Sequence, residues 1–288
     1  MLKRTHLRQF LAVVESGSFT AAANRLHLTQ PTLSAGIAEL ERIAGNRLFT
    51  RERRVVRLTE AGNRLLAHAR TIEREFRVAE AVVNGAPDAA PSFRLGVLSS
   101  LNTGAIAVLA ATYRGERPLT LTEGSDTDLR RRLADNRLDA ALTLLRTGEQ
   151  SECLLDEAYA AILSQDHRFA RRERIAPEEL AAETMIARRS CEILAETSRY
   201  FTARGVRPHF LFRSHNEDRC LALVASGAAI TTGPVSLAGR GTVAVALDGY
   251  SFRRRLGLVT PAGGDGPLAG SGVMEAVRAA LGQVQRSG

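Results

Sequence analysis

Gly17-Ser18-Phe19-Thr20-Ala21-Ala22-Ala23-Asn24-Arg25-Leu26-His27-Leu28-Thr29-Gln30-Pro31-Thr32-Leu33-Ser34-Ala35-Gly36-Ile37-Ala38-Glu39-Leu40 reads as two short amphipathic helices with very few residues between them. Ser18 is a good N-cap, and Phe19, Ala22, Ala23 and Leu26 recur at the spacing of one helical face. Thr29 caps the next helix and Pro31 sits in its first turn, where a missing amide costs nothing. Leu33, Ile37 and Leu40 then share one face. Such a pair predicts a helix-turn-helix, whose second helix enters the major groove by its N-terminal end; an ordinary helical hairpin has the same periodicity. The outward face favours the first reading. Pro31, Ser34, Ala35 and Ala38 are small enough to let a backbone approach bases, with Gln30 at the tip between Thr29 and Thr32. Gln suits bidentate contact with adenine, and Ser suits either partner.

Working outward, Leu7, Phe10, Leu11 and Val14 predict a preceding helix that Gly17 stops. After Gly45, Leu48 to Leu58 reads as two short strands around an arginine-rich tip, a wing on which Arg51, Arg53 and Arg54 suit phosphates or a minor groove. A solvated hairpin tip is the plainer alternative. Thr59 caps a longer helix in which Leu65, Ala69, Ile72, Phe76, Ala79 and Val83 follow a coiled-coil seam, so this stripe is expected to need a partner helix.

The chain has 288 residues and a formal charge of +8, enough for two domains of ordinary size. Residues 1–90 hold 14 basic and 9 acidic side chains, so most of the excess lies in the first third, where it fits nucleic acid or a well-solvated surface. Cys153, Cys191 and Cys220 are too scattered for a disulfide framework or a zinc site. No metal ligand spacing, phosphate loop or catalytic triad order stands out. No window approaches the roughly 18 apolar residues of a membrane span, and no signal-peptide core follows the N-terminus, so a cytoplasmic location without a membrane partner is expected.

The small, Pro-punctuated run Gly85 to Pro91 marks a boundary. Beyond it, strands expected at Phe93–Leu98, Leu119–Glu123, Leu138–Leu144, Thr184–Ala187, Phe210–Arg213 and Ala228–Thr231 alternate with helices at Thr103–Tyr113, Asp126–Asn136, Cys191–Arg204 and Glu217–Ala225. That alternation predicts parallel sheets flanked by helices, in two sets and therefore two lobes.

The run from Leu7 to Gly62 closely resembles the LysR-type transcriptional regulators. The resemblance rests on Phe10-Leu11-Ala12-Val13, Gly17 to Ala23, Thr29-Gln30-Pro31, Leu33-Ser34, Leu40-Glu41, Leu48-Phe49-Thr50-Arg51 and Leu58-Thr59-Glu60-Ala61-Gly62. Asp139-Ala140-Ala141-Leu142, Asp166-His167 and Leu223 to Pro234 extend it more loosely. Ala35 and Gly36 depart from the pattern; a mid-helix glycine costs about 1 kcal/mol relative to alanine.

The resemblance implies an α/β protein with an N-terminal winged helix-turn-helix in residues 1–58 and a linker helix and hinge in 59–90. A two-lobed effector-binding domain, like a periplasmic binding protein, fills 91–288. Lobe I would take about 91–160 and 262–288 and lobe II about 161–261, with crossings near Ala160–Leu163 and Leu256–Pro261. It further implies a dimer through the linker helix, a tetramer on double-stranded promoter DNA, and contact with RNA polymerase in an activator. DNA contacts would fall on Gln30, Pro31, Ser34 and Arg54, and effector contacts on Ser99, Ser100, Asn102, Thr103, Ser125, Arg188, Cys191, His215 and Thr231.

Hydroxyls at a helix start suit a carboxylate, with Arg188 or Arg189 adding charge from the other lobe; a plainly capped helix start is the alternative for Ser99 to Thr103. No cofactor beyond this small effector is expected. Cys191 stands near the redox thiol of peroxide-sensing members, but Tyr200 stands near the place of its partner, so a structural cysteine is expected. The competing class is an enzymatic or solute-binding α/β domain with an N-terminal helical dimerisation module.

Overall fold

Helical spacing and side-chain caps set the first elements. The computed structural model describes residues 1–52, 55–83, 92–261 and 268–287, which divide into a helical unit and an α/β unit. α1 (Arg4–Ser16) ends at Gly17, α2 (Phe19–Arg25) begins where Ser18 Oγ accepts the Ala21 amide at 3.1 Å, and α3 (Gln30–Ala44) begins where Thr29 Oγ1 accepts the Thr32 amide at 3.3 Å. β1 (Phe49–Glu52) and β2 (Val55–Leu58) pair antiparallel, Phe49 opposite Leu58. α4 (Glu60–Val83) starts at Thr59, whose hydroxyl accepts the Gly62 amide at 3.0 Å. A Cβ on Gly62 would collide with the Leu48 carbonyl oxygen, so the close approach of α4 to the chain entering β1 requires glycine. Leu7, Phe10, Val13, Leu33, Ile37, Leu40 and Leu48 form the buried core, where the Phe10 and Phe49 rings lie 5.2 Å apart.

Gly36 is a weak point of α3 that the structure explains. A Cβ there would meet only the end of the Gln9 side chain, whose Oε1 is buried with no hydrogen-bond partner. Gly36→Ala is therefore expected to raise the stability of this unit by about 1 kcal/mol, with Gln9 swinging toward water. Thermal melting checks this; a lowered midpoint would mean that Gln9 is held in place.

The α4 stripe corrects the sequence expectation of an unpartnered seam. Ala69 is fully buried, and Leu65 and Ile72 pack on the unit's own core, because α1 packs against α4. Only Phe76, Ala79 and Val83 remain exposed, with Val83 at 83%. The Arg4 guanidinium lies 4.6 Å from the centre of the Phe76 ring and pairs with Glu73 and Glu80.

In the α/β unit, β3 (Phe93–Leu98), α5 (Thr103–Thr112), β4 (Leu119–Gly124), α6 (Asp126–Ala134) and β5 (Ala140–Leu144) build a parallel sheet in which β3 is central. β6 (Leu155–Ser164) follows, then β7 (Arg174–Ile175), β8 (Thr184–Arg188), α7 (Leu194–Ala203), β9 (His209–Ser214), α8 (Glu217–Ala225), β10 (Thr231–Pro234), β11 (Thr242–Leu247), β12 (Arg253–Val259) and α9 (Val273–Ser287). The strand order is β4-β3-β5-β12-β6-β11-β7, with β10 also on β6 and a parallel β8-β9 pair beside it. β6 is thus one strand serving two lobes: Leu155–Ala158 pairs with β12, and Tyr159–Ser164 pairs with β10 and β11.

The second crossing lies earlier than the sequence reading places it. Leu256–Val259 is already hydrogen-bonded to β5, and Leu256 is buried in the lobe I core with α5 and α9, so β12 belongs to lobe I. Two further boundaries move. α7 begins at Leu194 rather than Cys191, and Thr231–Pro234, not Ala228–Thr231, forms the strand, because that is where the ladder with β6 runs. Lobe II packs α7 on one side of its sheet and α8 on the other. Among the described residues no helix is long and apolar enough to cross a membrane.

Candidate nucleic-acid interface and effector site

The buried stripe of α3 turns its opposite face outward. Leu33, Ile37 and Leu40 are at most 1% exposed, whereas Thr29, Gln30, Pro31, Thr32 and Ala35 are exposed and Ser34 partly so. Gln30 Nε2 donates to Ser34 Oγ at 2.9 Å, and the Thr29 and Thr32 hydroxyls lie 2.7 Å apart. These bonds are exposed, so their groups can be traded for base edges or phosphate oxygens at little net loss. The positive end of the α3 dipole points the same way. Arg53, Arg54 and the Arg51 side chain lie outside the described residues, as does hinge segment 84–91.

In the α/β unit the expected cleft residues are already engaged. Asn102 caps α5 by accepting the Gly104 amide at 2.7 Å, and its Nδ2 donates to the Ser236 carbonyl at 3.1 Å. Thr103 Oγ1 donates to Asp218 at 2.7 Å, and Ser125 Oγ accepts the Asp128 amide at 3.3 Å at the start of α6. Ser99 is partly exposed and His215 exposed, while Thr231 Oγ1 donates to the Ile186 carbonyl at 2.9 Å.

Arg188 and Ser100 correct the expectation of an open carboxylate site. The Arg188 side chain is 1% exposed and holds Glu217 at 2.6 and 3.1 Å and the Thr232 carbonyl at 2.8 Å. Its charge is therefore neutralised from within. Ser100 is fully buried and donates to Glu192 Oε1 at 2.6 Å, joining lobe I to lobe II.

The centre of that joint is Arg254, which sequence reading missed. Its guanidinium donates to Glu157 at 2.8 Å, Glu192 at 2.7 Å and Ser100 Oγ at 2.8 Å, while Tyr159 donates to Glu192 Oε2 at 3.0 Å. Ser236 closes the other side, donating its amide and hydroxyl to Glu157 at 2.9 and 3.0 Å. Burial pushes the Glu192 carboxyl up, but the Arg254 charge and the Ser100 hydroxyl outweigh it, so the net direction is down. A signal was present in strand parity: Arg254 falls on the same face as inward Leu256 and Leu258, and Glu157 on the same face as inward Leu155 and Tyr159.

Cys191 is 9% exposed, and burial pushes its thiol above the ordinary cysteine value. A raised pKa lowers the thiolate fraction and burial limits access, so iodoacetamide is expected to label Cys191 more slowly than a free thiol at neutral pH. Peptide mass spectrometry of the labelled native protein checks this; labelling as fast as a free thiol would show an activated cysteine.

Comparison with known proteins fits this architecture. The model of the bacterial regulatory helix-turn-helix protein, lysR family, matches residues 5–63, and that of the LysR substrate binding domain matches residues 88–282. The nitrogen assimilation regulatory protein nac of Klebsiella aerogenes is 31% identical, over 81% of this chain and 78% of its own. A hydrogen peroxide-inducible genes activator of Pectobacterium carotovorum subsp. carotovorum is 29% identical over 79% of this chain and 78% of its own. ArgP from Mycobacterium tuberculosis shares the fold, with a TM-score of 0.69 at 24% identity over 97% of both chains. With both the DNA-binding module and the two-lobed domain accounted for, the chain belongs to the LysR family of transcriptional regulators, which bind promoter DNA and form oligomers, and is not an enzyme.

Proposed function

We propose that α3 reads base edges in promoter DNA through Gln30 and Ser34, with Thr29, Pro31, Thr32 and Ala35 at close approach and wing residues Arg51, Arg53 and Arg54 on phosphates. The observation that carries this reading is the exposed Gln30–Ser34 pair opposite the buried Leu33–Ile37–Leu40 stripe. The α/β unit then senses a small molecule by altering the Ser100–Glu192–Arg254 bridge between its lobes, the differential interaction that a switch requires. Regulation takes place in the cytoplasm, on a dimer or a pair of dimers, with RNA polymerase as a further partner in activation. Footprinting of the promoter by the full chain tests the reading. A protected site whose affinity falls steeply with salt is expected; no protected site at low salt would overturn it.

The dimer contact follows from the exposed end of α4. Phe76→Asp with Val83→Asp is expected to shift the protein toward monomer, whereas Ile72→Asp instead destabilises the helical unit from within. Sedimentation and melting separate the two; an unchanged oligomer in the Phe76 and Val83 double variant would exclude α4 as the seam.

A further inference from the structure

A cavity of about 470 Å³ opens in lobe II between α7 and the β8–β9 pair. All its lining residues lie between Met185 and Thr232, so it takes nothing from lobe I and is separate from the Ser100–Arg254 joint. Met185, Phe201 and Val206 form a buried apolar floor. Leu194 and Phe210, two of the few large apolar side chains left exposed in this unit, stand at its edge at 38% and 36%. A volume of this size is that of a small-molecule site.

The rim is cationic. Arg189, Arg207 and Arg213 line the cavity and are exposed, and none has a carboxylate partner among the described residues; the Arg213 guanidinium lies 4.6 Å from the centre of the Phe210 ring. Arg188, in the same wall, is by contrast fully paired with Glu217. An apolar floor beneath unpaired guanidiniums complements a molecule with an apolar body and an anionic end. Arginine's planar fork suits a carboxylate in particular. A compact polyanion would leave the floor unfilled, and a neutral hydrocarbon would leave the rim unused.

We infer that lobe II binds a monocarboxylate with an apolar aliphatic or aromatic body, the body against Phe201, Val206 and Phe210 and the carboxylate at Arg207 and Arg213. Cys191 lines the cavity, and its neighbour Glu192 carries the bond to Ser100 in lobe I. A ligand seated there presses on the turn that holds the two lobes together. The regulatory consequence rests on the function proposed above; the binding itself does not.

The test is calorimetric titration of the full chain with octanoate, with octanamide as the neutral control. Octanoate is expected to bind at least tenfold more tightly than octanamide, and Arg207→Ala with Arg213→Ala is expected to remove that advantage without lowering the melting midpoint, since both side chains are exposed. Ser198→Trp, which places an indole at the cavity wall, should abolish binding of both compounds. No binding of octanoate to the native chain, or binding by the double arginine variant as tight as by the native chain, would each overturn the assignment. Promoter footprinting without any ligand tests the DNA-binding reading independently, so failure of one does not obscure the other.

Discussion

Arg254→Ala is expected to destabilise the α/β unit by about 3–5 kcal/mol, the usual consequence of removing one partner from a buried charge cluster. Arg254 and Glu157 are 1% and 4% exposed as side chains, and Glu192 is 8% exposed. Without the guanidinium, two carboxylates face the interior with no positive charge beside them, left to neutral donors such as Ser100, Ser236, Tyr159 and the Glu192 amide. Arg254→Lys should recover only part of the loss, since an ammonium cannot span Glu157, Glu192 and Ser100 together.

The pH dependence gives a second readout. In the native protein the Glu192 carboxyl is held down, so its contribution is present above the unfolded value of about 4.3 and is lost as pH falls through the lower folded value. In Arg254→Ala burial acts without its counterion and the carboxyl moves up, so the defect should shrink toward acidic pH as Glu192 takes a proton. Urea unfolding across pH measures both effects. A loss under about 1 kcal/mol at neutral pH would show that the cluster is not a structural joint.

Gln30→Ala or Ser34→Arg is expected to weaken binding at the cognate site by about 1–3 kcal/mol, roughly fivefold to 150-fold. The loss should be confined to particular base pairs, because these side chains stand on the face of α3 that the core does not use. Arg54→Ala should instead weaken all sequences alike and reduce the salt slope by about one. Mobility shifts over a salt series distinguish the two patterns. Unchanged binding in all three variants would remove α3 and the wing from the interface. The Gln30–Ser34 bond does not protect against the loss, since the free protein exchanges it with water.

Legibility in the sequence followed the range of the interactions. Caps and periodicity are set within a few residues, which is why Ser18, Thr29 and Thr59 mark the starts of α2, α3 and α4, and why β3 matches its expected span. The α4 stripe was visible as a stripe, but its partner was not. Whether Leu65 and Ile72 meet α1 or another copy depends on where α1 lies, which no local pattern states. The segment from Leu256 to Pro261 is similarly legible as a crossing between the lobes, but not its membership of lobe I, since the place of β12 comes from hydrogen bonds to β5, more than a hundred positions earlier.

The effector domain shows the same division at the level of single side chains. Hydroxyl-rich loops at strand ends are a short-range pattern, and Asn102 and Ser125 do sit at helix starts, with Ser100 in the turn before α5. What those groups bind was decided in three dimensions. Glu192 reaches Ser100 from 92 positions away and Arg254 reaches it from 154, so the pocket expected to receive a ligand carboxylate holds one of the protein's own. The sequence by itself determined the helices, their caps, the strand alternation and the family. Only the tertiary structure decided which polar groups are satisfied and which stay free, because a buried charge takes whichever partner the folded chain brings within reach, at any separation in sequence.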